Sequence, residues 1–147
     1  MDLVYILLAF TAGACATTQA GINSQLRSWT NDPVLAAMIS FAVGTAALLS
    51  YVLLLRIPWP AAKTLYYSPW WIWTGGLLGA FLVVVTIILV PELGAATMMA
   101  IMISGQMIAG VILDHYGLVG YEEHPANIWR CLGAVFVVAG VVMIRKF

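Results

Sequence analysis

Residues 70–113 decide the fold of this chain, and they read WWIWTGGLLGAFLVVVTIILVPELGAATMMAIMISGQMIAGVIL. The apolar run is broken only at Pro91 and Glu92, and its 44 residues would reach roughly 66 Å as one helix at about 1.5 Å per residue. The hydrocarbon core of a bilayer is only about 30 Å thick. The stretch therefore predicts two membrane-spanning helices that fold back on each other at Pro91 and Glu92.

Three other apolar stretches are long enough to cross a bilayer, which takes about 20 residues in a helix. Asp32 and Pro33 mark the start of one of them, because aspartate is a preferred N-cap and proline suits the first helical position. The sequence therefore predicts an all-α integral membrane protein, with residues 1–147 as a single transmembrane domain of five helices. The predicted spans are residues 3–24, 33–55, 70–90, 92–113 and 128–144.

The composition indicates a protein whose solvent is lipid. Of the 147 residues, 63% are hydrophobic and 8% are charged, whereas charged residues make up about 25% of a soluble domain. Six basic residues balance six acidic ones, so the sequence does not predict the basic surface that a nucleic-acid partner would require. The two cysteines and two histidines are not spaced as metal ligands, and no catalytic or phosphate-binding motif occurs. We therefore expect membrane lipid as the surroundings, no metal or other cofactor, and no enzymatic activity.

The first apolar stretch has two interpretations, the core of a signal peptide or a retained helix. Asp2 precedes it, no lysine or arginine does, and four further apolar spans follow it. These features favour a retained helix, and we expect a multi-pass protein of the bacterial inner (plasma) membrane.

The basic residues favour neither orientation in the membrane. With five spans, three basic residues are expected on the side of the N-terminus and three on the other side. The first group is Arg56, Lys63 and Arg130, and the second is Arg27, Arg145 and Lys146. Since an excess of basic residues normally marks the cytoplasmic side, the balance indicates either an uninformative count in a short chain or insertion both ways. Insertion both ways would allow an antiparallel homodimer, whose ten helices would form the inverted repeat of many transporters.

Three amide side chains within the predicted spans are candidates for substrate binding. Gln106 lies near the middle of the fourth span, where an amide needs a partner on another helix or on a solute. Gln19 and Asn23 are four residues apart and therefore share one face of the first helix. Each has a structural alternative, which is interhelical hydrogen bonding for Gln106 and ordinary polarity near a helix end for the other two.

Glu92 is the carboxylate that interrupts the apolar run of residues 70–113. An ionisable group inside a membrane could couple transport to protons or cations. The alternative is structural, because proline followed by glutamate suits the start of a helix, where a carboxylate satisfies free amides and the helix dipole.

Small residues recur at helical spacing in the predicted spans. Gly75 and Gly79 form a Gly-x-x-x-Gly pattern in the third span, and Gly133 and Gly140 share one face of the fifth. Such patches are common in membrane proteins and predict close contact between helices rather than ligand binding.

Two motifs resemble the YdcZ-type family of the drug/metabolite transporter superfamily. The first, QAGINSQLR, closes the first span at residues 19–27. The second extends from the fourth span into the fifth, and its positions are Gly105, Gln106, Gly110, Asp114, His115, Gly117, Arg130 and Gly133. Residues 91–100 resemble the superfamily more broadly. The likeness covers nearly the whole chain, because five spans in a chain of this length are the unit of that family.

The resemblance implies half of a transporter, a five-helix unit that pairs with an inverted copy of itself or with an oppositely oriented paralogue. It does not imply a particular substrate. The small multidrug exporters of the same superfamily use a glutamate within the first helix for proton exchange. The first span here has no acidic residue beyond Asp2, so that mechanism is not expected, and Glu92 lies on a different span.

The favoured hypothesis is a transporter of small metabolites or drug-like molecules that works by alternating access as an antiparallel homodimer. In such a dimer Gln19, Asn23 and Glu92 would lie in equivalent vestibules at the two membrane surfaces, with Gln106 nearer the midplane. The alternatives are a membrane scaffold or accessory subunit that transports nothing, and a protein that flips lipids.

Overall fold

The computed structural model describes residues 2–146. Every regular element among them is helical, and five helices are long and apolar enough to cross a membrane, which confirms the predicted all-α membrane fold. The α-helices are α1 (Asp2–Thr30), α2 (Pro33–Leu54), α3 (Ala62–Tyr66), α4 (Thr74–Leu93), α5 (Ala95–His115) and α6 (Ile128–Lys146). Short 3-10 helices cover Trp70–Trp73 and Leu118–Gly120.

The contacts between residues divide the chain into two compact units, Met1–Pro91 and Glu92–Phe147. The first unit contains α1 to α3 and nearly all of α4, and the second contains α5 and α6. Each unit holds one closely packed pair of consecutive helices, α1 with α2 and α5 with α6. These two pairs carry the amides that the sequence singled out.

A two-residue turn joins α1 to α2. Asn31 has a φ of 57°, in the left-handed region that asparagine tolerates better than most residues, and its N–H donates to the Arg27 carbonyl at 2.8 Å. The Asp32 carboxylate then accepts from the N–H groups of Val34 and Leu35, both at 2.8 Å, which confirms the predicted N-cap. So short a turn makes α1 and α2 an antiparallel pair.

The first helix is longer than predicted, because α1 continues past residue 24 to Thr30. Within it, threonine hydroxyls donate to carbonyls four residues earlier, from Thr11 to Leu7 at 2.8 Å and from Thr18 to Ala14 at 2.9 Å. These bonds satisfy the hydroxyl hydrogens inside the helix itself, which is what a lipid environment requires.

The break between α4 and α5 lies at Gly94, and the prediction that placed it at Pro91 and Glu92 is wrong. Gly94 has φ 76° and ψ 152°, a conformation that is essentially restricted to glycine. Pro91 lies inside α4, whose last turn continues to Leu93. The fixed φ of proline is itself close to helical, and membrane helices tolerate the hydrogen bond that it removes.

The first unit has a small apolar core between α2 and α4. Its members are Ala36, Ala37, Val83 and Ile87, with Leu26 and Val84 packed against them. Two alanines in this set keep the side chains of α2 short where the helices meet, which is typical of membrane helix packing.

The glycine patch of α4 makes no close contact within residues 2–146. A Cβ added at Gly75 would meet nothing within 4 Å, and one added at Gly79 would meet only the Phe41 ring, at 3.8 Å. The close helix contact that the Gly-x-x-x-Gly pattern predicts is therefore not made among the described residues of the first unit.

Candidate functional site

The first candidate site is a groove of about 390 Å³ along α1 and α2. Gln19 and Asn23 both line it, so the structure brings together the two amides that were predicted to share a face of the first helix. The other lining residues are Thr11, Ala14, Cys15, Thr18 and Ile22 of α1 and Ser40 of α2.

Neither amide in this groove has a hydrogen-bond partner among the described residues. Asn23 is 3% exposed, and its Nδ2 atom is buried. A buried donor without a partner costs about 1–3 kcal/mol. Gln19 is exposed, so its amide is free to bind a group that enters the groove. Polarity near a helix end does not explain Asn23, because a group that is merely solvated at a helix end is not buried.

The second candidate site is a cavity of about 250 Å³ between α5 and α6. Gln106, Gly110 and Asp114 are spaced four residues apart and line the α5 side in a row. Gly133 lines the cavity from α6, and a Cβ there would meet nothing within 4 Å, so this glycine leaves space rather than permitting close packing. The remaining lining residues are Met107, Val111 and Arg130.

Gln106 lies one residue from the middle of α5, which places its amide near the midplane if the span is centred in the bilayer. The side chain is exposed and makes no hydrogen bond to any described residue. Transfer of an unpaired amide from water to hydrocarbon costs about 4–8 kcal/mol. Gln106 therefore needs a partner from outside the described chain, whether a second protein, water or a solute.

An ion pair joins the end of α5 to the start of α6 at one end of this cavity. Arg130 Nη2 pairs with Asp114 Oδ2, and Arg130 Nη1 donates to the His124 carbonyl at 2.7 Å. The two charged side chains are 32% and 29% exposed, so water screens them less than a pair on an open surface. The His124 N–H also donates to the Asp114 carbonyl at 2.8 Å. The loop between the helices is thereby bonded to both helix ends.

Asp114 and Arg130 are positions of the second motif, but their pairing, which makes them a functional candidate, was not predicted. The pair lines the cavity of Gln106 and also a second cavity of about 350 Å³, which His124, Pro125 and Asn127 complete. The pair therefore lies between the loop and the Gln106 amide. A signal existed, since opposite charges stand at the adjoining ends of successive spans. The pairing nevertheless depends on the register of α5 against α6, which the sequence does not state.

Glu92 lies in the last turn of α4, not at the start of the next helix. The side chain is exposed and bonds to no residue that the structure describes. The predicted structural role at a helix start is therefore wrong, because a carboxylate in the last turn faces the negative end of the helix dipole. A role in coupling stays a prediction.

These sites are equipped to bind polar groups. They offer amides, hydroxyls and one ion pair, which recognise solutes by hydrogen bonding and charge. Among residues 2–146, no group of three or more histidine, cysteine or carboxylate side chains is placed to hold a metal ion.

Comparison with known proteins points to one kind of membrane protein. Residues 4–143 match the family described as "Putative inner membrane exporter, YdcZ". The inner membrane protein YdcZ of Escherichia coli (strain K12) is 32% identical over 77 residues, which are 52% of this chain and 51% of the relative. The match thus spans about half the length of that curated relative. No solved structure matches the chain.

Proposed function

Because this chain belongs to the YdcZ family of inner membrane proteins, we propose that it transports small molecules by alternating access as an antiparallel dimer. The family description names an exporter and no substrate. The transported molecules in this proposal are small metabolites or drug-like compounds, and the partner is a second copy of the chain or an oppositely oriented paralogue.

The observation that carries the proposal is the set of unpartnered amides inside the spans. Gln19, Asn23 and Gln106 all lie in membrane-spanning helices, and none has a hydrogen-bond partner within residues 2–146. Polar groups in hydrocarbon are normally paired inside the protein. Where they are not, they usually belong to a substrate or ion pathway. A solute that passes through the protein, with its water, would supply the missing partners.

A second, inverted copy fits both the charge distribution and the uncovered surface. The three basic residues on each side favour neither orientation, which supports insertion of the chain both ways. The open space at Gly75 and Gly76 suits the close approach of another helix. An inverted pair would also present an equivalent α1–α2 groove at each membrane surface, as inverted-repeat transporters do.

Alternating access then requires only that the two copies rock against each other. The groove with Gln19 and Asn23 in one copy would be open to one side of the membrane while its counterpart is closed. The Gln106 amides would bind the solute near the midplane. The Asp114–Arg130 pair would keep α5 and α6 together during this motion.

Liposomes loaded with a small-molecule extract of cells test the transport step. We expect saturable, protein-dependent loss of particular compounds, measured by mass spectrometry. Gln106→Leu should abolish the loss and preserve the dimer, because leucine has a similar volume and cannot form hydrogen bonds. Ile108→Leu, an exposed neighbour that lines neither cavity, is the matched control.

Three outcomes would contradict the proposal. A Gln106→Leu protein that becomes monomeric would show that the amide joins helices. Vesicles that lose no compound would indicate a scaffold or accessory subunit, and movement of labelled phospholipid between leaflets without solute loss would indicate lipid flipping.

A reporter at the C-terminus tests the inverted pair. Signal from both sides of the cell membrane would support an antiparallel homodimer, because the same chain would then occur in both orientations. Signal from one side only would exclude the antiparallel homodimer, and an oppositely oriented paralogue would then be the inverted partner to test.

A further inference from the structure

The lining of the α1–α2 groove offers hydrogen bonds without charge. Its polar groups belong to Thr11, Cys15, Thr18, Gln19, Asn23 and Ser40. None of its eight lining residues within the described chain carries a formal charge. The first basic residue after them on α1 is Arg27, one helical turn beyond Asn23.

The hydroxyl groups of the groove divide into acceptors and a donor. Thr11 and Thr18 donate their hydrogens to helix carbonyls, so their oxygens can only accept from a ligand. Ser40 has no hydrogen-bond partner in the part of the chain that the structure describes, so its hydroxyl is free to donate. The groove therefore combines acceptors on α1 with a donor on α2.

Asn23 is the residue that indicates a missing ligand. Its side chain is 3% exposed, and Nδ2 is buried without a partner among residues 2–146. Native proteins leave few buried donors unpaired, and the exceptions often have a functional cause. Gln19, one turn away on the same face, adds a second free amide. Each amide contributes two donors and an acceptor.

A charged solute would lose hydration in this groove without gaining an opposite charge. Desolvation of an ionised group costs far more than desolvation of a hydroxyl group whose hydrogen bonds are replaced. A neutral molecule with several hydroxyls can accept from Asn23 and Ser40 and donate to Thr18, which lies about 7.5 Å from Asn23 along α1.

We infer that the α1–α2 groove binds neutral polyhydroxy solutes of the sugar or polyol class. This inference rests on the proposed transport function and names the class of substrate at the same site. Cationic drug-like compounds and organic anions are thereby excluded as its preferred ligands.

Three probes with the same six-carbon skeleton test the inference. Sorbitol is neutral, gluconate is an anion and N-methylglucamine is a cation. Phosphatidylcholine liposomes containing the wild-type protein should take up labelled sorbitol at a saturable rate. Uptake of the two charged probes should be slower by about tenfold or more, because the groove offers no opposite charge to offset desolvation of theirs; tenfold corresponds to about 1.4 kcal/mol.

Substitutions of lining residues test whether sorbitol uptake depends on this groove. Asn23→Leu should abolish sorbitol uptake, because the amide that binds the solute is lost. It should also raise the melting temperature, because it removes a buried donor that has no partner within residues 2–146. Ser40→Ala, a small change with little effect on folding, should lower uptake by about tenfold and decides the matter if Asn23→Leu does not fold. Thr17→Val is the control, since Thr17 lies on the same helix and its hydroxyl donates to Gly13 at 3.1 Å, outside the groove.

The outcomes separate this inference from the proposed function. Saturable uptake of gluconate or N-methylglucamine in preference to sorbitol would overturn the neutral class and leave transport intact. Uptake of none of the three probes would also overturn the inference, and the loss of compounds from extract-loaded liposomes would then decide on transport by itself. Sorbitol uptake that survives both Asn23→Leu and Ser40→Ala would show that the solute binds elsewhere.

Discussion

Breaking the Asp114–Arg130 pair should destabilise the α5–α6 unit by an amount that depends on how far the two side chains are exposed to solvent. Removal of one partner from a buried pair costs about 3–5 kcal/mol, whereas an exposed pair contributes about 0.2–1 kcal/mol. The side chains here are 32% and 29% exposed, between the two cases. We therefore expect Asp114→Asn to lower the free energy of unfolding by about 2 kcal/mol.

Arg130→Gln should cost more than Asp114→Asn. Arg130 pairs with Asp114 and also donates from Nη1 to the His124 carbonyl at 2.7 Å, so its removal frees the loop as well. A hydrogen bond from a charged donor contributes about 1.5–3 kcal/mol. The expected loss for Arg130→Gln is therefore about 3.5–5 kcal/mol, and its excess over Asp114→Asn measures the bond to the loop.

A double-mutant cycle, with unfolding by SDS in mixed detergent–lipid micelles, measures these losses. The coupling between the two substitutions should be about 1–2 kcal/mol, as is usual for contacting groups. Arg56→Gln is the control, because Arg56 is exposed and its side chain has no partner in residues 2–146, so a change within about 0.5 kcal/mol is expected. Losses that simply add, with no coupling, would refute the ion pair, and equal losses for the two single variants would refute the bond to the loop.

Three further predictions follow from single positions. Asp32→Ala should lower the free energy of unfolding by about 1 kcal/mol, because the N-cap bonds to Val34 and Leu35 are lost. Asp32→Asn should retain most of the wild-type stability, and equal stability of the two variants would contradict the cap. Gly94→Ala should cost about 1–3 kcal/mol because alanine is strained at φ 76°. Gly44→Ala, inside α2 with open space beside it, should cost nothing measurable in the same unfolding titration. Gly133→Leu should block solute loss from liposomes by filling the cavity beside Gln106, while Gly133→Ala should still allow solute loss. Transport by the leucine variant would show that this cavity is not part of the transport pathway.

The sequence contained a signal for the break between α4 and α5, the glycine at position 94, but the prediction relied on Pro91 instead. Pro91 is the strongest helix breaker in residues 70–113 by the rules for soluble proteins. Inside a membrane those rules weaken, because neighbouring groups satisfy the backbone that proline frees. A glycine with positive φ is then the residue that ends the helix, and Gly94 lies three residues further along.

Part of the candidate site could also be predicted. Gln19 and Asn23 share a groove because residues four apart on a helix always share a face, whatever the helix packs against. The contribution of Ser40 to that groove and the burial of Asn23 could not be predicted, because both depend on where α2 crosses α1.

By itself, the sequence determined that lipid is the solvent, that five helices are long enough to cross it, and where α2 begins, because hydropathy and capping act over a few neighbouring residues. Only the tertiary structure decided that Asp114 meets Arg130 and that Gly133 lies beside Gln106. These residues come from different helices, and they meet only once the register of α5 against α6 is set. That register depends on how side chains of both helices pack together, which no single stretch of sequence specifies.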